Sequence, residues 1–204
     1  MTEIAATLVA AYLLGSVLFG VILVRATTGA DPRTLGSGNP GATNVARIAG
    51  KGMGAAALML DAGKGAAAVL LAETIAPDRS ALPAAAAIAA VLGHLFPIFH
   101  RFRGGKGVAT AMGSFFPLAH LPVLAALTLF LVLLAAFRFV SLASIVATAS
   151  CAPLCVVWGV PDAVSWAAAL TAVLVVTRHR GNVVRLRQGV EPRWGGSRPA
   201  GPGP

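Results

Sequence analysis

Long apolar stretches alternate with short polar segments along the whole chain. Seven of them approach the roughly 20 residues that a helix needs to cross the hydrocarbon core of a bilayer. They cover residues 4–24, 52–72, 81–99, 107–121, 122–137, 139–159 and 161–177. Several are short, which predicts tilted helices or tight turns at their ends. The stretch at 107–121 is the weakest of the set and would also fit a re-entrant helix.

The composition supports a membrane protein. Mean hydropathy is +0.81, and only 11% of residues are charged against 57% hydrophobic, which is unlike a soluble domain. Residues 4–24 lack the basic start and cleavage pattern of a secretory signal, so we interpret them as the first span. The sequence predicts an all-α polytopic integral membrane protein with seven transmembrane helices. We expect one membrane domain over residues 1–190 and a disordered Gly-, Pro- and Arg-rich tail over residues 191–204.

Positive charge is concentrated on one side of this predicted domain. With seven helices, every Lys and Arg except Lys64 and Arg79 lies on that side, where the acids are Asp31 and Glu191. Because cytoplasmic loops are enriched in Lys and Arg, the N-terminus is predicted outside and the C-terminus in the cytoplasm. Without the fourth helix, the Arg-rich tail would lie outside. We predict no nucleic-acid partner, since no soluble basic module is present; membrane lipid is the expected partner of the tail.

Four polar segments fall together on the cytoplasmic side, at residues 36–47, 101–110, 138–144 and 178–185. Glycines let backbone N–H groups approach an anion, and a helix that begins after such a loop adds its positive end. Residues 40–43 are predicted to open a short helix with Asn44 and Arg47 on one face. Lys106 stands in a GGKG sequence that lacks the full spacing of a nucleotide-binding P-loop. The convergence predicts an anion-binding site.

Each segment alone also permits a structural interpretation. The glycine-rich loop would serve as a tight turn, and Arg103 and Lys106 as positive-inside anchors. Ser141 would be a helix N-cap, and His179 an interfacial residue. The occurrence of all four segments on one face favours the functional interpretation.

Ionisable and thiol groups within the apolar stretches are interpreted as structural. Asp61 and Lys64 are three apart in the second stretch and are expected to pair, since unpaired charges in a bilayer are costly. Glycines beside Lys64 would permit close helix approach. Cys151 and Cys155 are expected to be small packing residues. The seven acids are scattered, so neither a metal nor a cofactor is expected.

Six segments form a pattern over about residues 15–189. They read LGSGNPGATNVAR at 35–47, LDAGKG at 60–65, GHLFPIF at 93–99, FRGGKGVATAMG at 102–113, RFVSLAS at 138–144 and HRGNVVRL at 179–186. Together they resemble the acyl-phosphate:glycerol-3-phosphate acyltransferases, the bacterial PlsY family. The chain departs from the family at Leu18, where proline is frequent, and at Gly181, where an acidic residue is common.

The resemblance implies transfer of a fatty acyl group from acyl phosphate to the sn-1 hydroxyl of glycerol 3-phosphate. The products would be lysophosphatidic acid and phosphate, for phospholipid biosynthesis at the cytoplasmic face of the bacterial plasma (inner) membrane. It also implies a functional link to an enzyme that forms acyl phosphate. The expected catalytic residues are Ser37, Arg47, Lys106, His179 and Asn182. The expected substrate-binding residues are Gly36, Gly38, Asn39, Gly41, Thr43, Asn44, Gly104, Gly105, Gly107 and Ser141.

Two questions stay open at this point. The hydroxyl proton could pass to a substrate phosphate or to His179 as general base. A small-anion transporter is the main alternative to an enzyme. However, transporters usually bind substrate near the midplane between repeats, whereas the polar segments here lie at one face and no internal repeat is visible.

Overall fold

The computed structural model describes residues 1–76 and 81–195, and within these ranges all regular secondary structure is helical. The helices are α1 (Thr2–Ser16), α2 (Phe19–Thr28), α3 (Ala42–Ala49), α4 (Lys51–Ile75), α5 (Ala81–Leu95), a 3₁₀ helix (Ile98–His100), α6 (Val108–Leu118), α7 (His120–Phe137), α8 (Val140–Val157), α9 (Asp162–Arg178) and α10 (Arg180–Arg187). The predicted all-α class is confirmed.

Five helical segments of the described part are long and apolar enough to cross a membrane. They are Thr2–Thr28, Lys51–Ile75, Ala81–His100, His120–Phe137 and Val140–Val157. The other two predicted stretches also contain helices, α6 of 11 residues and α9 of 17 residues. At 1.5 Å per residue, α6 is only about 16 Å long, roughly half the thickness of the hydrocarbon core. Seven crossings therefore stay a prediction.

The first apolar stretch contains two helices rather than one. The backbone is extended at Val17 and Leu18, between α1 and α2. A helix break in an apolar setting leaves backbone groups that need new partners. Here the Val17 carbonyl oxygen accepts a hydrogen bond of 2.5 Å from Lys64 Nζ in α4. The break is therefore stabilised by the intramembrane lysine.

Glycines bring the helices into close contact. A Cβ added at Gly15 of α1 would lie 2.0 Å from a carbonyl oxygen of α5, and one at Gly93 of α5 would lie 2.2 Å from a carbonyl oxygen of α1. Likewise, a Cβ at Gly65 would lie 2.4 Å from a carbonyl oxygen of α6, and one at Gly113 1.9 Å from a carbonyl oxygen of α4. Small residues at such crossings are typical of membrane helix packing. The close approach predicted for the glycines beside Lys64 is confirmed at Gly65.

The apolar core contains the two cysteines. Cys151 and Cys155 of α8 are buried and free, in a cluster with Phe115 of α6 and Val164 of α9. Their interpretation as packing residues agrees with this position.

The predicted disordered tail does not begin at residue 191. Residues 191–195 fold back onto the turn between α7 and α8: the Trp194 N–H donates to the Arg138 carbonyl oxygen at 2.6 Å, and Arg138 Nε donates to the Trp194 carbonyl oxygen at 3.1 Å. The Arg193 guanidinium lies 5.4 Å from the centre of the Phe139 ring. The prediction of disorder is therefore wrong for residues 191–195, while 196–204 lie outside the described residues, as does Arg79.

Candidate functional site

The glycine-rich loop before α3 is held by the buried side chain of Asn44. Asn44 Nδ2 donates to two loop carbonyl oxygens at 2.9 and 3.0 Å, and Oδ1 accepts from the Ser37 N–H at 2.9 Å. Gly36 has φ +62°, and a Cβ there would lie 2.2 Å from Asn44 Oδ1, so the position requires glycine. The Asn44 amide thus organises the loop, and its direct contact with a substrate stays a prediction.

The rest of this segment presents an exposed serine and the start of a helix. Ser37 and Gly38 are exposed, and Gly38 has φ +70°. The half-buried Asn39 lies beside Gly41, which precedes α3. Because the first N–H groups of a helix have no intrahelical partner, the start of α3 offers donors to an anion.

Helix α3 confirms the short helix that residues 40–43 were predicted to open. Thr43 lies in its first turn, and Arg47 in its last turn is exposed. Helix α2 touches the loop closely, since a Cβ at Gly20 would lie 1.9 Å from the Pro40 carbonyl oxygen. The loop and α3 are thus supported from two sides.

The second glycine pair is clamped between α5 and the end of α9. A Cβ at Gly104 would lie 2.0 Å from the His94 carbonyl oxygen, and one at Gly105 2.2 Å from His94 Nε2. The Gly105 N–H donates to the His94 carbonyl oxygen at 3.1 Å. Arg178 Nη2 donates to the Gly104 carbonyl oxygen at 3.1 Å and its Nε to that of Gly105 at 3.3 Å. These contacts define the position of the following residue.

The residue after this glycine pair is Lys106. It is followed by Gly107, which has φ +81° and is the N-cap of α6. Lys106 Nζ donates to Asn182 Oδ1 at 2.5 Å. Burial lowers the pKa of Lys106 to about 8. The charges near enough to act on it are Glu191, which raises the pKa, and Arg185, Arg47 and Arg178, which lower it. Through the charge of Arg47, the first polar segment therefore acts on Lys106 in the second.

A single carboxylate joins the third and fourth polar segments. Glu191 Oε1 accepts from Ser141 Oγ and from Asn182 Nδ2, each at 2.6 Å, and Oε2 accepts from Arg185 Nε at 2.7 Å. Burial would raise the pKa of Glu191, but these three hydrogen bonds together hold it below its usual value. Asn182 thus bridges Lys106 and Glu191.

Sequence reasoning missed Glu191, because it lies beyond the last apolar stretch. The signal that could have found it is the charge pattern. Glu191 is one of only two acids expected on the strongly basic side of the membrane. An isolated acidic residue among many arginines is a candidate ion-pair partner for one of them.

His179, in the turn between α9 and α10, is buried and holds one defined tautomer. Its Nδ1 contacts the Val175 carbonyl oxygen at 2.7 Å, and a carbonyl only accepts, so Nδ1 carries the proton. Burial, followed by the Lys106 charge, lowers the pKa of His179 to about 4. The imidazole is therefore neutral near pH 7, with its lone pair on Nε2.

A buried ionic cluster supports this region from within the helices. Lys64 Nζ lies 2.8 Å from Asp61 Oδ1 and 2.9 Å from His94 Nδ1, which confirms the predicted Asp61–Lys64 pair. The participation of His94 was not predicted. His94 also contacts Gly105 through its ring and carbonyl, so the cluster connects the helix break at Val17 with the loop before Lys106.

The fold and the site define a class: an integral membrane protein with a cationic, hydrogen-bonded cluster of polar side chains where several helices end. Among the residues that the structure describes, no group of three or more His, Cys, Asp or Glu side chains could hold a metal ion.

Comparison with known proteins identifies the family. The family model described as "Glycerol-3-phosphate acyltransferase" matches residues 5–189, and the chain belongs to this family. A glycerol-3-phosphate acyltransferase of Ralstonia pickettii (strain 12J) is 46% identical over 96% of this chain and 97% of that relative. One of Anaeromyxobacter dehalogenans (strain 2CP-C) is 47% identical over 92% and 96%, respectively. The resemblance read from the six motifs is confirmed.

Solved structures show the same architecture. The crystal structure of PlsY (YgiH), an integral membrane glycerol 3-phosphate acyltransferase, in its glycerol 3-phosphate form has a TM-score of 0.90 and 40% identity, covering 95% of this chain and 96% of that one. Its lysophosphatidic acid form has a TM-score of 0.87 and 39% identity over the same shares. The integral membrane class is thereby confirmed.

Proposed function

We propose that this protein transfers a fatty acyl group from acyl phosphate to the sn-1 hydroxyl of glycerol 3-phosphate, releasing lysophosphatidic acid and phosphate. Family membership supports glycerol 3-phosphate as acceptor, and the similar PlsY structures carry glycerol 3-phosphate and lysophosphatidic acid in their names. The observation that carries the proposal is the half-buried contact between Lys106 and the buried Asn182, within range of the Arg47 charge. Both substrates present phosphate groups, which such cations bind.

The glycine-rich loop binds one phosphate through its backbone. Ser37, Gly38 and Asn39, with the amides near Gly41 and Thr43, provide donors next to the positive end of α3. The loop is already organised by Asn44, so little conformational freedom is lost when the anion binds.

Arg47 and Lys106 neutralise the substrate phosphates and the charge that develops at the reacting centre. The Lys106 ammonium, whose pKa is lowered to about 8, stays mainly protonated at neutral pH. A bound phosphate would stabilise the charged form further. Preorganised charges of this kind act strongly where water is excluded.

The chemical step needs alignment more than acid–base catalysis by the protein. The sn-1 oxygen attacks the carbonyl carbon of acyl phosphate, the bond from that carbon to the phosphate oxygen breaks, and phosphate leaves with the electron pair. Ser141, His179 and Asn182 position the glycerol and phosphate oxygens so that the two reacting atoms meet.

The hydroxyl proton passes to a phosphate oxygen of a substrate. A phosphate monoester has a second pKa of about 6, whereas the pKa of His179 is lowered to about 4. Phosphate is thus the stronger base, and proton transfer to it is favoured over proton transfer to His179. Neutral His179, through Nε2, accepts a hydrogen bond from the glycerol backbone instead of removing a proton.

The membrane arrangement we propose has seven crossing helices, with the N-terminus outside and the site at the cytoplasmic face of a bacterial plasma membrane. The concentration of Lys and Arg on the side of the site supports it. The acyl chain lies between apolar helices, and glycerol 3-phosphate enters from the cytoplasm. An enzyme that forms acyl phosphate supplies the donor.

A donor comparison with purified protein in detergent tests the proposal. The protein receives glycerol 3-phosphate together with acyl phosphate or with acyl-CoA, and the position of the acyl group in the product is determined. We expect sn-1 lysophosphatidic acid from acyl phosphate alone. Product from acyl-CoA would overturn the donor assignment. Uptake of glycerol 3-phosphate by proteoliposomes without any acyl donor would favour transport.

A further inference from the structure

The carboxylate of Glu191 is buried in the site and hydrogen-bonded to its residues. Its side chain is only 6% exposed, although the residue belongs to the segment after the last helix. All of its hydrogen-bond partners come from elements that carry predicted site residues: Ser141 in α8, and Asn182 and Arg185 in α10. A buried carboxylate with three donors is a fixed polar centre.

The backbone on both sides of Glu191 is anchored. Before it, Gly189 has φ +71°, and the Val190 N–H donates to the Arg185 carbonyl oxygen at 2.9 Å, which closes the end of α10. After it, Trp194 exchanges two hydrogen bonds with Arg138. The segment of residues 189–195 is therefore a clamp that returns the carboxylate to the site.

We propose that Glu191 is a positioning residue for acyl transfer, holding Ser141 and Asn182 in fixed orientations and, through Asn182, the Lys106 ammonium. The inference rests on the proposed function and adds a residue to its machinery. Since the Asn182 NH₂ group donates to Glu191, the amide oxygen must face Lys106, where it lies 2.5 Å from Nζ. Without the carboxylate, the amide could rotate and turn its NH₂ group toward the ammonium.

The same carboxylate determines what Ser141 can bind. The hydroxyl has one proton, which it donates to Glu191 at 2.6 Å, so only its lone pairs remain for a substrate. The lone pairs of the Ser141 oxygen can accept a hydrogen bond from an alcohol, but they repel a phosphate oxygen. Glu191 thus makes Ser141 a partner for a glycerol hydroxyl and directs phosphate toward Lys106 and Arg47.

The experiment compares Glu191→Gln, Glu191→Asp and, as matched control, Glu3→Gln, which removes one exposed carboxylate far along the chain. For each purified protein, kcat and KM for glycerol 3-phosphate are measured from pH 6 to 10. Because glutamine keeps an acceptor for Ser141, Glu191→Gln should fold. Loss of a charge-assisted hydrogen bond is worth about tenfold to a hundredfold, and we expect a fall of that size in kcat/KM.

The pH profile separates positioning from mere stability. The charged and titratable groups facing Lys106 are Glu191, Arg185, Arg47, Arg178 and His179. Because Glu191 is the acid among them, its removal should move the alkaline limb of kcat/KM to lower pH. Glu191→Asp, which keeps the charge, should leave the limb in place and recover part of the rate, and Glu3→Gln should match the wild type.

Two results would overturn the inference. One is higher activity or a lower KM in Glu191→Gln. This result would mean that the carboxylate occupies the position where substrate binds and competes with it. The other is an unchanged kcat, KM and alkaline limb in that variant. Calorimetric binding of glycerol 3-phosphate without acyl donor is measured in parallel. If the wild type forms no lysophosphatidic acid, the proposed function fails; weaker binding by Glu191→Gln would still support the positioning role, and equal binding would end it.

Discussion

Alkaline pH should inactivate the enzyme through one side chain, Lys106. Its pKa is lowered from 10.5 to about 8, mainly by burial, so the ammonium is charged below that value and neutral above it. About 90% of the unliganded protein carries the charge at pH 7, about 10% at pH 9 and about 1% at pH 10. Since kcat/KM reports ionisation of the free enzyme, it should fall about tenfold per pH unit above 8.

The matched variant is Lys106→Arg, because a guanidinium stays protonated throughout this range. Its absolute rate will be lower, since its planar fork does not reproduce the Lys106–Asn182 contact. Its kcat/KM should nevertheless stay level up to pH 10. Lysophosphatidic acid formation is measured at limiting glycerol 3-phosphate, with spontaneous hydrolysis of acyl phosphate subtracted at each pH. A wild-type profile that is level to pH 10, or the same alkaline limb in both proteins, would refute the reasoning.

Three further substitutions test other parts of the site. His179→Gln should reduce kcat by about tenfold or less, because the phosphate takes the proton; a collapse in turnover with intact binding would assign the base to His179. Gly36→Ala places a Cβ 2.2 Å from the amide oxygen that holds the loop, at φ +62°, and should raise KM for glycerol 3-phosphate at least about tenfold, whereas Gly52→Ala, with open space around it, should leave KM unchanged. Lys64→Met leaves Asp61 buried without its ion-pair partner and should lower the free energy of unfolding by about 3–5 kcal/mol, measured by denaturation in detergent; an unchanged unfolding free energy would contradict the structural role of the pair.

The local pattern of the chain was sufficient for the helices and for the Asp61–Lys64 ion pair. Each of the seven apolar stretches contains a helix. These helices could be recognised from continuous hydrophobicity alone, because a helix surrounded by lipid needs no periodic polar face. Asp61 and Lys64 could be paired from their i, i+3 spacing alone. The short segments with Gly, Lys and Arg could be predicted to lie on one side of the membrane, because cytoplasmic loops are enriched in Lys and Arg.

Contacts that depend on three-dimensional packing could not be predicted in this way. The His94 ring of α5 reaches Lys64 of α4 through helix packing, and these two residues are 30 positions apart in the sequence. The Asn44 amide was assigned to substrate, whereas its hydrogen bonds go to the loop. Glu191 was assigned to a disordered tail, since the composition of residues 191–204 outweighed the effect of one buried carboxylate. In each case the partner is distant in sequence or depends on a turn whose direction local propensity does not specify.

The most direct test of the account is release of inorganic phosphate by the purified protein in detergent, given acyl phosphate with and without glycerol 3-phosphate, alongside Lys106→Ala. We expect phosphate release that requires glycerol 3-phosphate, matches lysophosphatidic acid formation one to one and is lost in the folded Lys106→Ala protein. Phosphate release that is independent of glycerol 3-phosphate, or unchanged in that variant, would contradict it.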